Sequence, residues 1–439
     1  MLFFLAWAGV QAMAPVQVAP VQEIDAQDTI VVTSEWFGAD DIAAKQSADG
    51  IIDVGPDALA VQPSTNIADA LGRLPGVAVE TERGASQFVQ LRGLRPELNS
   101  VTLDGVIIGA AEGLGGGRQA PLDLYSTRLV TQLELVKTPT PDMEGQGIGA
   151  VLNIVTTGSK DDAGDGWAGS AAILGGGGDN VEGAVEAAGD ILYADPNGHW
   201  TLRGALAVEV EETDTSVFLQ RSWGFAQPGF PELLRYEREE DEAERYAGSL
   251  AVTLFPADGH SIDLSFLRSY ADDTQDFLRY EEGVRLFSPI DATSGTVSFR
   301  PGSRVRATQI DRDIQVARAL GTHALSDEQT LSWRLALNET TLQRTQQEWD
   351  IVPGDEFLAT LPYRITDDPF VLVDQPDAPD YSAAGISVAS AGWEDASITE
   401  DGLTAGLDYT HMLFSGFDLK VGAQWRRAER SNDVRNEIF

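Results

Sequence analysis

From Trp167 to the C-terminus, apolar and polar residues alternate at every second position over long stretches. Between Trp200 and Glu211 the apolar set is Trp200, Leu202, Leu206, Val208 and Val210, and Thr201, Arg203, Glu209 and Glu211 take the other positions. The same division separates Leu331, Trp333, Leu335 and Leu337 from Ser332, Arg334 and Asn338. It separates Phe417, Leu419, Val421 and Trp425 from Asp418, Lys420, Gln424 and Arg426. A period of two places successive side chains on opposite faces of a strand, so one face wants apolar surroundings and the other wants water. A soluble sandwich also alternates, but with strands of about five or six residues. These runs reach about ten or more, the length of a tilted strand that crosses a bilayer.

The links between the runs sharpen this reading. About nine strands follow Trp167, with short turns at 194–199, 255–260, 321–329 and 413–416 and long connections near 213–243, 272–304 and 344–395. Short turns on one rim and long loops on the other predict an outer-membrane β-barrel with its short side in the periplasm. Trp200, Phe255, Trp333 and Phe417 stand beside the short turns, where an aromatic girdle belongs. His199, His260, His323 and His411 fall at the same turns, and ordinary turn polarity accounts for them.

Upstream the pattern differs. Residues 61–160 read as a compact α+β region. Its opening NIADALGRLPGV has Asn66 or Thr65 as N-cap, an apolar face of Ile67, Ala70, Leu71 and Leu74, and a Pro75-Gly76 stop. Short strands follow at Phe88 to Leu91 and Ser100 to Leu103, then, after the Gly-rich loop 113–117, in TQLELVKTP and AVLNIVTTG. Residues 35–60 are polar and acidic and read as a linker. Residues 1–20 read as a secretory signal peptide, with an apolar run from Leu2 to Val10 and the Ala-x-Ala of Ala12 to Ala14, although no Lys or Arg precedes the run. Between them, within 24–34, the β-branched Thr29, Ile30, Val31, Val32 and Thr33 form an isolated strand-like segment with nothing nearby to pair with.

Composition narrows the function. The chain has 439 residues, a formal net charge of −39 and no cysteine. That charge opposes a phosphate backbone, and the absence of cysteine removes disulfides, thiolate metal sites and thiol nucleophiles. No later apolar run approaches the roughly 18 residues of a spanning helix, so any crossing of a membrane is by strands. Gly145, Gly147 and Ala150 give a GxGxxA spacing, but Pro139 and Pro141 intervene and β-branched VLNIVTT follows, so no helix opens onto a dinucleotide. The loop at Gly113 to Arg118 lacks the Lys-Ser/Thr of a phosphate-binding loop, and Asn338-Glu339-Thr340 falls inside a strand. No catalytic constellation, metal site or cofactor is expected. A barrel enzyme would need a Ser/His/Asp-type arrangement at the external rim, where no histidine lies.

The order of signal peptide, DTIVVT, NIADALGRLPGV, QLRGLRPELNSVTLDG, LELVKTPTPDMEGQGIGAVLNIVT and amphipathic strands resembles a TonB-dependent outer-membrane receptor, with a style similar to the large Caulobacter-type subfamily. The resemblance implies an α+β plug domain (61–160) inside a transmembrane antiparallel β-barrel (from 165 to 439) of about 22 strands. It implies uptake of a scarce or bulky nutrient, a carbohydrate oligomer or a ferric siderophore, driven by TonB and its inner-membrane complex. Asp28, Thr29, Ile30, Val31, Val32 and Thr33 match the TonB box, which adds as a strand to TonB's sheet in the periplasm. Ligand contact is expected from Glu112, Arg118 and Gln119 at the plug apex and from Trp223, Phe225, Phe230 and Trp349 on or near external loops, whereas Arg92 and Arg95 are expected in ion pairs within the plug. Nine strands cannot close around a plug, and SNDVRNEIF resembles the start of another external loop, so the chain reads as the N-terminal part of a longer receptor. A passive porin or adhesin is the alternative function.

Overall fold

The computed structural model describes residues 51–54, 66–74, 76–82, 85–109, 119–137, 147–156, 166–178, 181–223, 231–289, 294–353, 359–365, 371–373, 386–414 and 417–439. Strand β1 (Ile51–Val54) precedes helix α1 (Ile67–Leu71) and strands β2 (Val77–Glu82), β3 (Ala85–Leu91), β4 (Ser100–Leu103), β5 (Val106–Ile107), β6 (Gln132–Val136) and β7 (Val151–Val155). Helix α1 starts where expected: Asn66 is extended (φ −121°, ψ 165°) and its Oδ1 accepts from Asp69 N at 2.9 Å. This satisfies one of the helix's orphan donors. The predicted apolar face is inside, with Ile67 and Leu71 fully buried and Ala70 and Leu74 nearly so.

A five-stranded sheet runs in the order β1-β6-β7-β4-β5, with β4 and β7 parallel and the other pairs antiparallel. The β4–β5 hairpin turns at Asp104 (φ 48°) and Gly105 (φ 79°), an Asp-Gly pair suited to the two positive φ values of a tight hairpin. β2 and β3 form a separate hairpin. Two features depart from the sequence reading. The expected linker 35–60 contributes β1, whose Ile51 and Ile52 pair with Val136 and Leu135, so the sheet begins before position 61. β2 was also not anticipated, because the Pro75-Gly76 stop hid a new start immediately after it.

The second sheet contains β8 (Gly166–Gly176), β9 (Val181–Ala194), β10 (Trp200–Trp223), β11 (Pro231–Ala257), β12 (His260–Pro289), β13 (Ser294–Ser326), β14 (Gln329–Pro353), β15 (Ala359–Ile365), β16 (Val371–Val373), β17 (Ile386–Phe414) and β18 (Phe417–Ile438). Its main path is β18-β17-β14-β13-β12-β11-β10-β9-β8, the nine strands expected, and short β15 and β16 pair off it beside β13. Every neighbour on the path is antiparallel. Among the described residues the path does not close on itself, so β8 and β18 are its two edges there. The plug and this partial barrel wall are the two parts of the fold.

Alternation sorts the two faces. Leu206, Leu335 and Leu337 are 70%, 50% and 58% exposed, while Ala205, Ala207, Ala336 and Asn338 on the opposite face are buried. Exposed leucines in rows are what a lipid-facing surface requires, with small and polar side chains turned to the interior. Of the expected short turns, 194–199 links β9 to β10, while 255–260 and 321–329 narrow to 258–259 and to Asp327-Glu328 because β11 and β13 continue to Ala257 and Ser326; the turn expected at 413–416 lies partly outside the described residues.

The long connections are the main correction. Most of 213–243, 272–304 and 344–395 is strand: β10 and β11 continue in register to Trp223↔Pro231, and β12 and β13 to Pro289↔Gly295. Apolar alternation stops above the leucine rows, so the pattern reads as loop. The ladder continues there on backbone bonds and on cross-strand ion pairs. Arg238 Nη2 lies 2.7 Å from Asp214, Arg235 Nη2 2.5 Å from Glu281 and Arg304 Nε 2.8 Å from Asp350, and Arg344 pairs with Glu394. The C-terminal segment is likewise strand and not loop: β18 pairs with β17 through Gly392↔Ile438, and Phe439 exchanges both backbone bonds with Ala391. Edge pairing needs no alternation when the partner strand supplies a complete row of donors and acceptors.

Candidate functional site

The site of interest is the contact between plug and wall, built mainly from residues 121–130, PLDLYSTRLV. Nine of these ten are buried, all but Arg128. The segment is fixed from the plug side by Leu122 N donating to Gln87 O at 2.9 Å. The Ser126 hydroxyl accepts from Arg128 N at 3.1 Å and starts a short 3-10 turn at Thr127–Leu129.

From this segment three kinds of contact reach the wall. Apolar packing comes first: Leu267, Ala271, Ile314 and Val316 of β12 and β13 share one core with Leu122, Leu124, Tyr125 and the plug sheet. Leu129 packs on Ala188, Ala205 and Ala207 of β9 and β10. Small wall residues let the plug backbone approach closely. Hydrogen bonds come second, from the Ser126 hydroxyl to Glu186 Oε1 at 2.6 Å and from the Ser269 hydroxyl to Leu124 O.

Ion pairs are the third kind and the least expected. Arg312 on β13 donates from Nη2 to plug Asp123 Oδ2 and to wall Asp273 Oδ2, both at 2.7 Å. Beside it Arg245 Nη1 on β11 lies 3.0 Å from Glu211 and 3.5 Å from Glu209. Asp123, Asp273, Arg312, Arg245 and Glu211 line a cavity of about 40 Å³ together with Gln87, Thr213, Asp241 and Gln275, room for water alone. Nearer the short turns, Arg318 Nη1 lies 2.5 Å from Asp104 Oδ2. The Asp104 carboxylate also accepts from Thr156 N at 2.8 Å and Thr156 Oγ1 at 2.7 Å, tying the end of β7 to the hairpin turn. Burial, with Asp123 adding to it, lifts the Tyr125 hydroxyl above its ordinary value, so it stays neutral.

The chemistry of such a site is mechanical. Desolvated ion pairs attract strongly in the interior but cost much desolvation, and breaking one partner away is penalised severely. They therefore hold the plug in one register and resist its partial release.

The expected site residues fare differently. Asp28 to Thr33, Glu112, Arg118, Phe225 and Phe230 lie outside the described residues. Gln119 is half-buried where the chain enters the 121–130 segment. The Trp223 backbone is the last position of β10, opposite Pro231. Trp349 lies on β14 opposite Val305 and Ala391, and by strand alternation it belongs to the outward series of Leu335 and Leu337, away from the plug. Arg95 pairs with Glu97 at 3.5 Å, and Arg92, at φ 58°, donates to Lys137 O at 2.9 Å. Thus Arg95 makes the expected ion pair and Arg92 a backbone bond. His260 and His323 face each other at 3.2 Å beside the short turns, and Trp333 Nε1 donates to His323 Nε2 at 3.0 Å. Gly147 and Gly149 lead into strand β7, as the rejection of a dinucleotide loop requires. Among the described residues, no group of three or more His, Cys, Asp or Glu side chains is placed to hold a metal ion.

Asp123, Asp273 and Arg312 were missed by the sequence reading. For two of them a signal was present: Asp123 stands alone within the otherwise apolar or hydroxylic stretch 121–127, and Arg312 shares its strand face with Ile310, Ile314 and Val316.

Residues 44–151 match the family model described as TonB-dependent Receptor Plug Domain. The chain is 31% identical over 155 residues, 35% of its length, to the vitamin B12 transporter BtuB of Vibrio vulnificus strain YJ016, and 28% identical over 163 residues to that of strain CMCP6. These matches span about a quarter of the relatives' length, 24% and 26%. Among solved structures, the ferric enterobactin receptor PfeA of Pseudomonas aeruginosa (mutant R480A) aligns at TM-score 0.41 and 11% identity, covering 88% of this chain and 72% of that one. The siderophore receptor PirA of Acinetobacter baumannii aligns at TM-score 0.34 and 11% identity, covering 92% and 79%.

Proposed function

We propose, for a chain that belongs by its plug domain to the TonB-dependent receptors, that it serves energy-coupled uptake of a scarce or bulky nutrient across the bacterial outer membrane. The observation that carries this reading is the docking of segment 121–130 onto the wall through a shared core and the buried Asp123–Arg312–Asp273 triad. A passive porin needs an open lumen, whereas a plug held by desolvated charges needs work to move it. TonB is the partner that supplies the work. Asp28 to Thr33 is the segment it would grip, a β-branched sequence of the kind suited to edge addition. The short turns and this segment then face the periplasm, and the long charged strand extensions face outward.

The nutrient belongs to the class that diffuses too slowly through general pores: a ferric siderophore, a cobalamin or a carbohydrate oligomer. The named relatives transport or bind members of the first two groups. Glu112, Arg118 and Gln119, with the aromatic Trp223, Phe225 and Phe230, are the proposed ligand contacts.

The test is removal of residues 24–34 from the receptor in its native membrane, with solute uptake measured in cells grown under iron limitation or on oligosaccharides. Loss of uptake with surface binding retained supports coupled transport. Uptake that survives the deletion favours the porin reading.

A further inference from the structure

A small cavity lies where the plug meets the wall, and the register of the wall strands explains it. On β10, β11 and β12 the inward side chains form three rows across the sheet: Thr213, Asp241 and Gln275; Glu211, Ala243 and Asp273; Glu209, Arg245 and Ala271. Side chains directly opposite one another have Cβ atoms about 4.5–5.5 Å apart, so larger groups surround the short Ala243 methyl. The space left above it is the cavity of about 40 Å³, which Gln87 and Asp123 of the plug and Arg312 of β13 also line.

Charge around this cavity does not balance. The five carboxylates of Asp123, Glu209, Glu211, Asp241 and Asp273 meet the two guanidinium groups of Arg245 and Arg312, so among the described residues three negative charges are left over. Both arginines are already committed, Arg312 to Asp123 and Asp273 and Arg245 to Glu209 and Glu211. Two oxygens are also left without a hydrogen bond among the described residues: the hydroxyl of Thr213, which is 6% exposed, and Oδ1 of Asp123, which is 4% exposed. Water would bond to these oxygens, but a neutral molecule leaves the excess charge in place, and a buried charge has to be paired or coordinated to a metal. The described acidic side chains are not gathered three to a point, as a divalent site of clustered carboxylates requires. A monovalent hard cation accepts mixed carboxylate, hydroxyl and amide oxygens, and sodium is smaller than the water that the cavity admits.

We propose that the cavity over Ala243 is a monovalent-cation site that takes sodium, with Asp123 Oδ1 and the Thr213 hydroxyl as ligands. Asp241 and Gln275, in the same row as Thr213, add further oxygens, and an all-oxygen set is what hard cations take. A water beside the ion would accept from Arg245 Nε, which has no hydrogen-bond partner among the described residues. Asp123 belongs to the plug and Thr213 to β10, so the ion ties the two parts of the fold together and offsets the carboxylate excess that the arginines leave. The assignment goes beyond the transport reading and depends neither on the solute nor on TonB.

Hydrogen exchange of peptides covering 121–130 tests this on the full receptor in native outer-membrane vesicles, as choline chloride is replaced by sodium chloride at constant pH and ionic strength. Equal ionic strength keeps screening the same, so a difference between the two salts reports binding. Opening of the segment should slow with a saturable dependence on sodium, about tenfold when sodium stands at ten times its Kd. Peptides of β17 and β18, at the other end of the wall, should not change. Thr213→Val keeps shape and charge and removes one ligand, so it should raise the half-saturating sodium concentration. Asp241→Asn removes one excess charge and should raise it too. Identical exchange in sodium and choline overturns the site, and its excess charge is then met by protons. Stronger protection by potassium than by sodium overturns the assignment of the ion, and a half-saturation indifferent to both substitutions overturns its placement in this cavity. The titration of the unsubstituted receptor decides the first point even if a variant fails to fold.

Discussion

Replacing Arg312 by Ala tests the plug anchor directly. Arg312 bridges Asp123 of the plug and Asp273 of the wall at 2.7 Å each, and its side chain is 6% exposed, with 3% and 10% for the two carboxylates. Without it two buried carboxylates remain near one another, with Arg245, already shared with Glu209 and Glu211, as the nearby cation. Removing one partner of a buried ion pair costs about 3–5 kcal/mol, and each 1.4 kcal/mol is about tenfold in an equilibrium. Opening of the 121–130 segment should therefore rise by a factor on the order of a hundred to a few thousand. Hydrogen exchange of peptides covering 121–130, measured on the receptor in native membranes, reads this directly. The matched control is Arg268→Ala: its pair with Asp313 at 2.9 Å is on the outer face with Arg268 55% exposed, so it should change stability by at most about 1 kcal/mol and leave the plug's exchange alone. The triple variant Asp123→Asn, Asp273→Asn with Arg312→Met should recover much of the loss, because the burden is the uncompensated charge and not the missing bond. Unchanged exchange in Arg312→Ala would refute the anchoring argument.

Further outcomes follow from the same structure. Asn66→Ala removes the cap of α1 and should lower plug stability by about 1 kcal/mol, read as a shift in the denaturant midpoint of plug exchange. Leu335→Arg, on the exposed leucine row of β14, should destabilise the barrel wall by about 2–4 kcal/mol if that row faces hydrocarbon, with less folded receptor recovered from membranes; Ser332→Arg, on the other face, should not. The hydrogen bond from Arg238 holds the Asp214 carboxyl below its ordinary value, and that from Arg304 does the same for Asp350. A depressed folded value stabilises the pairing above the ordinary carboxylate range of about 4 and is lost as pH falls through the depressed value. The upper strands should thus keep their proteolytic resistance down to about pH 4 and lose it below. Transcript rising only under iron limitation would point to a siderophore as solute, and rising only on one sugar would point to that sugar.

Legibility in the sequence followed the hydrophobic pattern. α1, the nine-strand path and the short turns were readable because apolar spacing and turn residues agree there: Asn66 caps, the leucines of 331–337 alternate, and Asp195 to Gly198 turn. The upper halves of β10 to β14 were not readable, since residues such as Glu237 to Glu242 are charged on both faces and are kept in strand by cross-strand partners far away in sequence. The anchor was hidden for a similar reason. Asp123 and Arg312 are 189 positions apart, and only the folded wall brings them together. β1 was lost because four residues, IIDV, carry too little pattern to stand out from an acidic leader. The Asn338 to Thr340 stretch was read only as a sequon inside a strand, and its place against Gly109 comes from packing.

The central claim is that this plug is moved by TonB acting on residues 28–33. The most direct measurement is to place a photo-activated cross-linking residue at Ile30 of the receptor in intact, energised cells and identify what it captures. The account predicts a covalent adduct with TonB that disappears when Val31 is replaced by Pro, which removes a backbone donor needed for strand addition. A receptor present in the outer membrane that yields no TonB adduct at Ile30, or an adduct indifferent to Val31→Pro, would contradict it.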